Sequence, residues 1–258
     1  TSPIRSMTAE CARVGGINLA QGVCDTPVPE PVRRAAQSAI EEGANSYSRS
    51  EGLPELRRAL AAKMRRDDRL DYDPDSEIVV TSGATGAFYV VCQALFQPGD
   101  EVILFEPYYG YHRNTLEALG VVPRYVTLHG PDFALPLAEL EIALSSRTRA
   151  IVVNTPGNPS GKVFTRAELE ALGAIARERD VFLLTDEVYE HFVYDDREHV
   201  SPASIPGLRE RTITMNALSK TFAVTGWRIG WIAAPRRFVE AFTHLHDLVY
   251  VCAPTPLQ

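Results

Sequence analysis

The sequence predicts an α/β fold built on a mostly parallel sheet, and three observations predict it. Short apolar, β-branched runs alternate with amphipathic segments whose apolar residues recur at helical spacing. Hydrophobic residues make up 45% of the 258 positions and charged residues 23%, which is enough apolar material for a large core and too much for a disordered chain. No stretch approaches the roughly 18 uninterrupted apolar residues that a membrane span needs.

Taken in order, the first 43 residues stand apart. Pro27, Pro29 and Pro31 separate the Gly15–Val23 region from a helix at about 31–42, and no strong strand precedes it, so 1–43 reads as an arm leading into a main domain at 44–258. Strands are expected at 77–81, 101–105, 124–127, 150–154, 181–186, 212–216 and 228–233, seven in all. Between them, 53–66, 85–96, 111–119 and 165–179 carry the helical pattern, and Thr165 with Glu168 forms a capping-box signature. His244 and His246 fall on a further helix near the end of the chain.

Charge and cysteine usage exclude several classes. The net charge is −7 and there is no basic stripe, so nucleic acid is not an expected partner. The four cysteines are scattered without a Cys-x-x-Cys pair, and Thr1 is followed by no charged leader with an apolar run, so the expected location is cytoplasmic. The six histidines share no ligand spacing, and no metal is assigned. Only three of the 26 basic residues are lysines, namely Lys63, Lys162 and Lys220, so chemistry that needs a primary amine has few candidates.

In an open α/β sheet the residues just past the strand ends carry the chemistry. After the first strand come Gly83, Ala84 and Thr85 at a helix start, where free N–H groups attract an anion, although small residues there also serve as ordinary caps. After the second come Tyr108 and Tyr109. The fourth ends in Asn154-Thr-Pro-Gly-Asn158-Pro-Ser-Gly161, which is too short between glycines for a nucleotide phosphate loop and has Val163 where that loop needs a hydroxyl. The fifth delivers Asp186 and, three residues on, Tyr189, and a carboxylate leaving an apolar strand needs a cationic or donor partner. The sixth leads to Ser219 and Lys220, with Arg228 beyond. Small and apolar neighbours around Lys220 predict a desolvated amine suited to attack a carbonyl, while Lys162 follows a turn and Lys63 is read on a polar helix face.

The run Ser219-Lys220-Thr-Phe-Ala-Val-Thr-Gly-Trp-Arg228, together with Asn158-Pro-Ser-Gly161, Asp186-Glu-Val-Tyr189 and Asn45-Ser-Tyr47-Ser-Arg-Ser-Glu-Gly52, resembles the pyridoxal-phosphate-dependent aminotransferases of class I/II. The likeness extends from about Ile17 to Gln258, with the motifs in family order. It implies the three-layer α/β/α large domain of fold type I, pyridoxal 5'-phosphate as cofactor, and exchange of an amino group between an L-α-amino acid and a 2-oxo acid by a ping-pong route. It further implies that Lys220 forms the imine with the cofactor and then moves protons. Asp186 would pair with the pyridine nitrogen, Tyr189 and Asn158 would donate to the ring oxygen, and Tyr109, with Tyr108 as the alternative, would cover a ring face. Gly83, Ala84, Thr85, Ser219 and Arg228 would cradle the phosphate, joined by Tyr47 from the neighbouring subunit of a homodimer, and Gly22 with Asn158 would hold the substrate carboxylate. The family's main carboxylate-binding arginine lies in a C-terminal small domain that this chain does not contain, and a longer protein is expected on that ground. The same apparatus would also serve a β-lyase, and a cofactor-sensing regulatory domain is the alternative from outside enzymology.

Overall fold

The computed structural model describes residues 3–258. Its centre is a seven-stranded sheet formed by β1 (Ile78–Ser82), β2 (Glu101–Glu106), β3 (Val122–Thr127), β4 (Thr148–Asn154), β5 (Phe182–Asp186), β6 (Thr212–Ala217) and β7 (Ile229–Ala233). The order is β1-β7-β6-β5-β4-β2-β3. Only β7 runs antiparallel to its neighbours, so the expected mostly parallel sheet is the one observed.

The helices are α1 (Pro3–Arg13), α2 (Glu30–Glu41), α3 (Pro54–Asp68), α4 (Gly83–Leu95), α5 (Gly110–Ala118), α6 (Leu137–Ala143), α7 (Arg166–Glu178), α8 (Leu218–Thr221) and α9 (Arg236–Tyr250). Strand periodicity decides which face each covers, because successive side chains point to opposite sides. Val102 and Leu104 of β2, Ala150 and Val152 of β4, and Leu184 of β5 pack with Phe88 of α4, Leu116 of α5 and Phe242 of α9. The residues between them, Ile103, Phe105, Ile151, Val153 and Leu183, pack with Leu140 of α6 and Leu169 and Leu172 of α7. On that second face α3 covers β1 and β7 through Leu60, Met64, Ile78, Val80 and Trp231. Burial on both faces explains why the strands read as continuous apolar runs.

The Thr165 capping box is present: Glu168 N–H donates to Thr165 Oγ1 at 3.2 Å, and Glu168 Oε2 accepts from Thr165 N–H at 2.8 Å. Four expectations are corrected. Three helices were not foreseen: α1, whose Ile4, Met7 and Cys11 recur at helical spacing but are not buried, and α6 and α8, which are only about two turns and one turn long. The last strand starts at Ile229, because Arg228 has φ +58° and cannot continue an extended strand. Among the described residues no helix is long and apolar enough to cross a membrane.

Candidate active site

The parallel strands end at one edge, and a cleft of about 450 Å3 opens there. Register places Asn154 and Asp186 side by side on β4 and β5. Asp186 is buried, and its Oδ1 accepts from the Val188 N–H at 3.3 Å. Its Oδ2 is hydrogen-bonded at 2.9 Å to Nε2 of His112, a buried residue of α5. His112 is wedged between Phe88 at 4.4 Å and the edge of Tyr109 at 5.2 Å, so its ring has little freedom to leave the carboxylate. This supplies the donor partner that a buried carboxylate requires.

Lys220 follows β6 on the short helix α8. Its Nζ donates to the Gly22 carbonyl at 3.1 Å and lies 5.4 Å from the centre of the Tyr189 ring. The amine is half-buried and reached from the cleft, which corrects the expectation of full desolvation: the arm at Gly22 supplies a polar partner instead of an apolar wall. The Asn158 side-chain amide donates to the Tyr189 hydroxyl at 3.3 Å, and the Asn158 N–H donates to Asn154 Oδ1 at 2.7 Å, so the turn after β4 is tied to the turn after β5.

The other two lysines are bound elsewhere. Lys63 does not lie on a solvated face: its ammonium pairs with buried Glu190 at 2.5 Å. Lys162 is buried and pairs with Glu168 at 2.6 Å. Lys220 alone of the three forms no ion pair with a carboxylate among the described residues.

Arg228 and α4 form a cationic cradle. A Cβ built on Gly83, whose φ is +71°, would collide with Arg228 Nη2, and one built on Gly230 would meet the Gly83 carbonyl carbon at 2.5 Å and the Ala84 nitrogen at 2.7 Å. Only glycine permits this approach of β7, the guanidinium and the start of α4. The first turn of α4 holds no acidic residue and no side-chain cap, leaving its N–H groups for an anion. His246 fixes the place of that turn from behind, accepting from the Ser82 N–H at 3.1 Å; its burial pushes its pKa below the usual histidine value, which suits the neutral acceptor form.

Gly22, Ala84, Thr85, Tyr109, Asn158, Asp186, Tyr189, Ser219, Lys220 and Arg228 all line the cleft, and Gly83 touches it through Arg228. Tyr109 faces the site and burial pushes its phenol up to about 12, whereas Tyr108 stacks on Tyr125 at 5.2 Å. Tyr47 is 83% exposed and outside this cleft. Sequence reasoning missed His112, Asn154, Phe88, Tyr111 and Arg5. His112 lies one helical turn beyond Tyr109 and Phe88 one turn beyond Thr85, so a face-by-face reading of α5 and α4 would have found them. Arg5 and Tyr111 carried no such signal.

The lining holds the cations Arg5, Lys220 and Arg228 against one carboxylate, Asp186, in a chain of net charge −7. Such a cleft attracts anions. A primary amine, a donor-backed carboxylate, a phenol and amide pair, an aromatic wall and a glycine-lined anion cradle fit pyridoxal phosphate group by group. Fold and site thus define a pyridoxal-phosphate protein of fold type I.

Comparison with known proteins makes this specific. The chain belongs to the aminotransferase class I and II family, whose family model matches residues 14–258. It is 41% identical to a probable N-succinyldiaminopimelate aminotransferase of Mycobacterium tuberculosis, over 100% of this chain and 66% of that protein. It is 37% identical to an aspartate aminotransferase of Pyrococcus abyssi, over 94% of this chain and 62% of the relative. The chain therefore spans about two thirds or less of the length of these curated relatives. Its structure superposes on that of N-succinyldiaminopimelate aminotransferase from Mycobacterium tuberculosis with a TM-score of 0.97 at 38% identity, covering 100% of this chain and 67% of the other. With Thermus thermophilus aspartate aminotransferase bound to maleate the TM-score is 0.94 at 36% identity, covering 100% and 68%.

Proposed function

We propose that the protein is an aminotransferase that moves an amino group between an L-α-amino acid and a 2-oxo acid in two half-reactions. The observation that carries this reading is the environment of Lys220: of three lysines, two are locked in carboxylate pairs, and the third offers its amine to the cleft that holds Asp186. Pyridoxal phosphate, when bound, supplies an electron sink for charge developing at the substrate Cα.

The chain's own residues do the rest. Lys220 Nζ is the general base and acid that takes the Cα proton and returns it, and the Gly22 carbonyl holds it in place. Asp186, fixed by His112 and Val188, would keep a proton on the cofactor's ring nitrogen and so make the ring a stronger sink. Tyr189 and Asn158, already bonded to each other, would turn donors to the ring oxygen. Tyr109 would cover a ring face. Gly83, Ala84, Thr85, Ser219 and the Arg228 fork would hold the phosphate, and Gly22 with Asn158 would hold the substrate carboxylate.

In this reading residues 1–43 are an arm over a cofactor domain at 44–258, and the working unit is a homodimer in which the exposed Tyr47 reaches the neighbour's phosphate. A cytoplasmic location accords with four cysteines that form no disulfide. The test is direct. Purified protein should carry a visible cofactor absorbance and convert an amino acid only when a 2-oxo acid is supplied. Lys220→Ala should lose at least ~10^3-fold in turnover and alter that absorbance. An unchanged spectrum in Lys220→Ala overturns the assignment, and release of ammonia and an oxo acid without a co-substrate would make the protein a β-lyase.

A further inference from the structure

Arg5 is the one cation of the cleft that the cofactor reading leaves unused. It stands on α1 and is held there by its neighbours: one turn further along the helix, Thr8 donates to Gln21 Oε1 at 3.1 Å and accepts from Asn18 Nδ2 at 3.0 Å, tying α1 to the arm that carries Gly22. Arg5 Nε donates to the Tyr111 hydroxyl at 3.1 Å, and Tyr111 in turn stacks on Tyr109 at 5.3 Å. A continuous run of contacts thus leads from Arg5 through Tyr111, Tyr109 and His112 to Asp186. Arg5 has no carboxylate partner among the described residues. Among the described residues its two terminal nitrogens make no hydrogen bond, so the N–H edge of the fork that binds an anion in two-point fashion is open to the cleft.

The cleft needs to bind a phosphate and a substrate carboxylate, and Arg228 with α4 on one side and Gly22 with Asn158 on the other meet those demands. Arg5 remains as a third anion-binding group. We infer that Arg5, oriented by Tyr111, is a specificity-determining residue for a second anionic group on the substrate side chain, so that the preferred substrates are amino acids and oxo acids carrying a second carboxylate. The inference rests on the aminotransferase reading for the word substrate, but the anion subsite itself is testable without turnover. A charge-assisted, two-point contact of this kind is worth roughly tenfold or more in affinity.

The experiment compares glutarate with pentanoate, which differ by one carboxylate, as ligands of the protein loaded with pyridoxal phosphate, using calorimetric titration. The unsubstituted protein should bind glutarate at least tenfold more tightly than pentanoate. Arg5→Gln should remove most of that preference, and Arg5→Lys, which keeps the charge but not the fork, should restore part of it. Tyr111→Phe should weaken the preference to a smaller degree. In turnover, Arg5→Gln should lower kcat/KM for acidic amino acids relative to neutral ones, acting through KM. Thermal melting and cofactor absorbance of each variant establish that it is folded. An equal glutarate preference in the unsubstituted protein and in Arg5→Gln, or no preference in either, overturns the subsite. If the preference depends on Arg5 but no amino acid is converted, the aminotransferase reading falls and the subsite stands.

Discussion

Two neighbouring carboxylates at the end of β5 have opposite surroundings. Asp186 points to the face covered by α4 and α5, where it meets His112 and an open cleft. Glu187 points to the other face and is closed off: its Oε1 accepts from Thr185 at 2.7 Å and from Ser201 at 3.0 Å, and its Oε2 is bonded to His199 at 2.9 Å. Around it lie Glu190, Asp68 and the Lys63 ammonium. Asp68, Glu190 and His199 bring ligand atoms within 4.8 Å of one another, and Lys63 is the cation that sits against this group. Burial pulls both Lys63 and His199 down, but the carboxylates around them outweigh it and hold both above their usual pKa values. One cluster spends its charges on itself and stabilises the sheet; the other keeps a cation in excess for a ligand.

The largest expected effect tests the closed side. Lys63→Met removes one partner of a buried pair and leaves Glu190 uncompensated, which should cost about 3–5 kcal/mol and lower Tm by roughly 10 °C, read by thermal melting. Cofactor content of the folded protein should not change. On the open side, Asp186→Asn should reduce turnover ~10^2–10^3-fold with a Tm shift of only a few degrees, whereas Glu187→Gln should move Tm and leave turnover nearly intact. If the two neighbours behave alike, the contrast is wrong.

The smallest effect depends on pH. Burial, reinforced by the charge of Glu187, raises Asp68 from 3.8 to about 7. A folded value above the unfolded one means that ionising Asp68 opposes folding, so the stability present below about pH 4 is lost as pH rises through about 7. Asp68→Asn removes the penalty, and its gain in Tm, about a few degrees, should be larger at pH 8 than at pH 5. A gain independent of pH would remove Asp68 from the cluster's electrostatics.

What was legible in the sequence divides along the same line. The parallel strands and the residues just past their ends were readable because apolar runs, prolines and small residues are local signals, and eleven nominated positions from Gly22 to Arg228 converge on the cleft. The partners were not readable. His112 reaches Asp186 across 74 residues of chain, and Lys63 reaches Glu190 across 127. Nothing in the local pattern around Lys63 distinguishes a paired lysine from a solvated one, and the helical spacing of Ile4, Met7 and Cys11 in α1 does not say that Arg5 reaches Tyr111, 106 residues away.

The reversed direction of β7 has a kinetic consequence. Because β7 pairs antiparallel with β6, aligning Ala217 with Gly230, the connection between them returns to the edge it left and carries both Lys220 and Arg228. A connection of about ten residues closes on the order of 100 ns and at small entropic cost. The amine and the guanidinium can therefore be set side by side by a hairpin before the distant segments bearing Gly22, Gly83 and Asp186 arrive. Two of the site's three cations, Lys220 and Arg228, belong to a local folding unit, and a hydrogen-exchange pulse during refolding should find β6 and β7 protected ahead of the turn at Gly83.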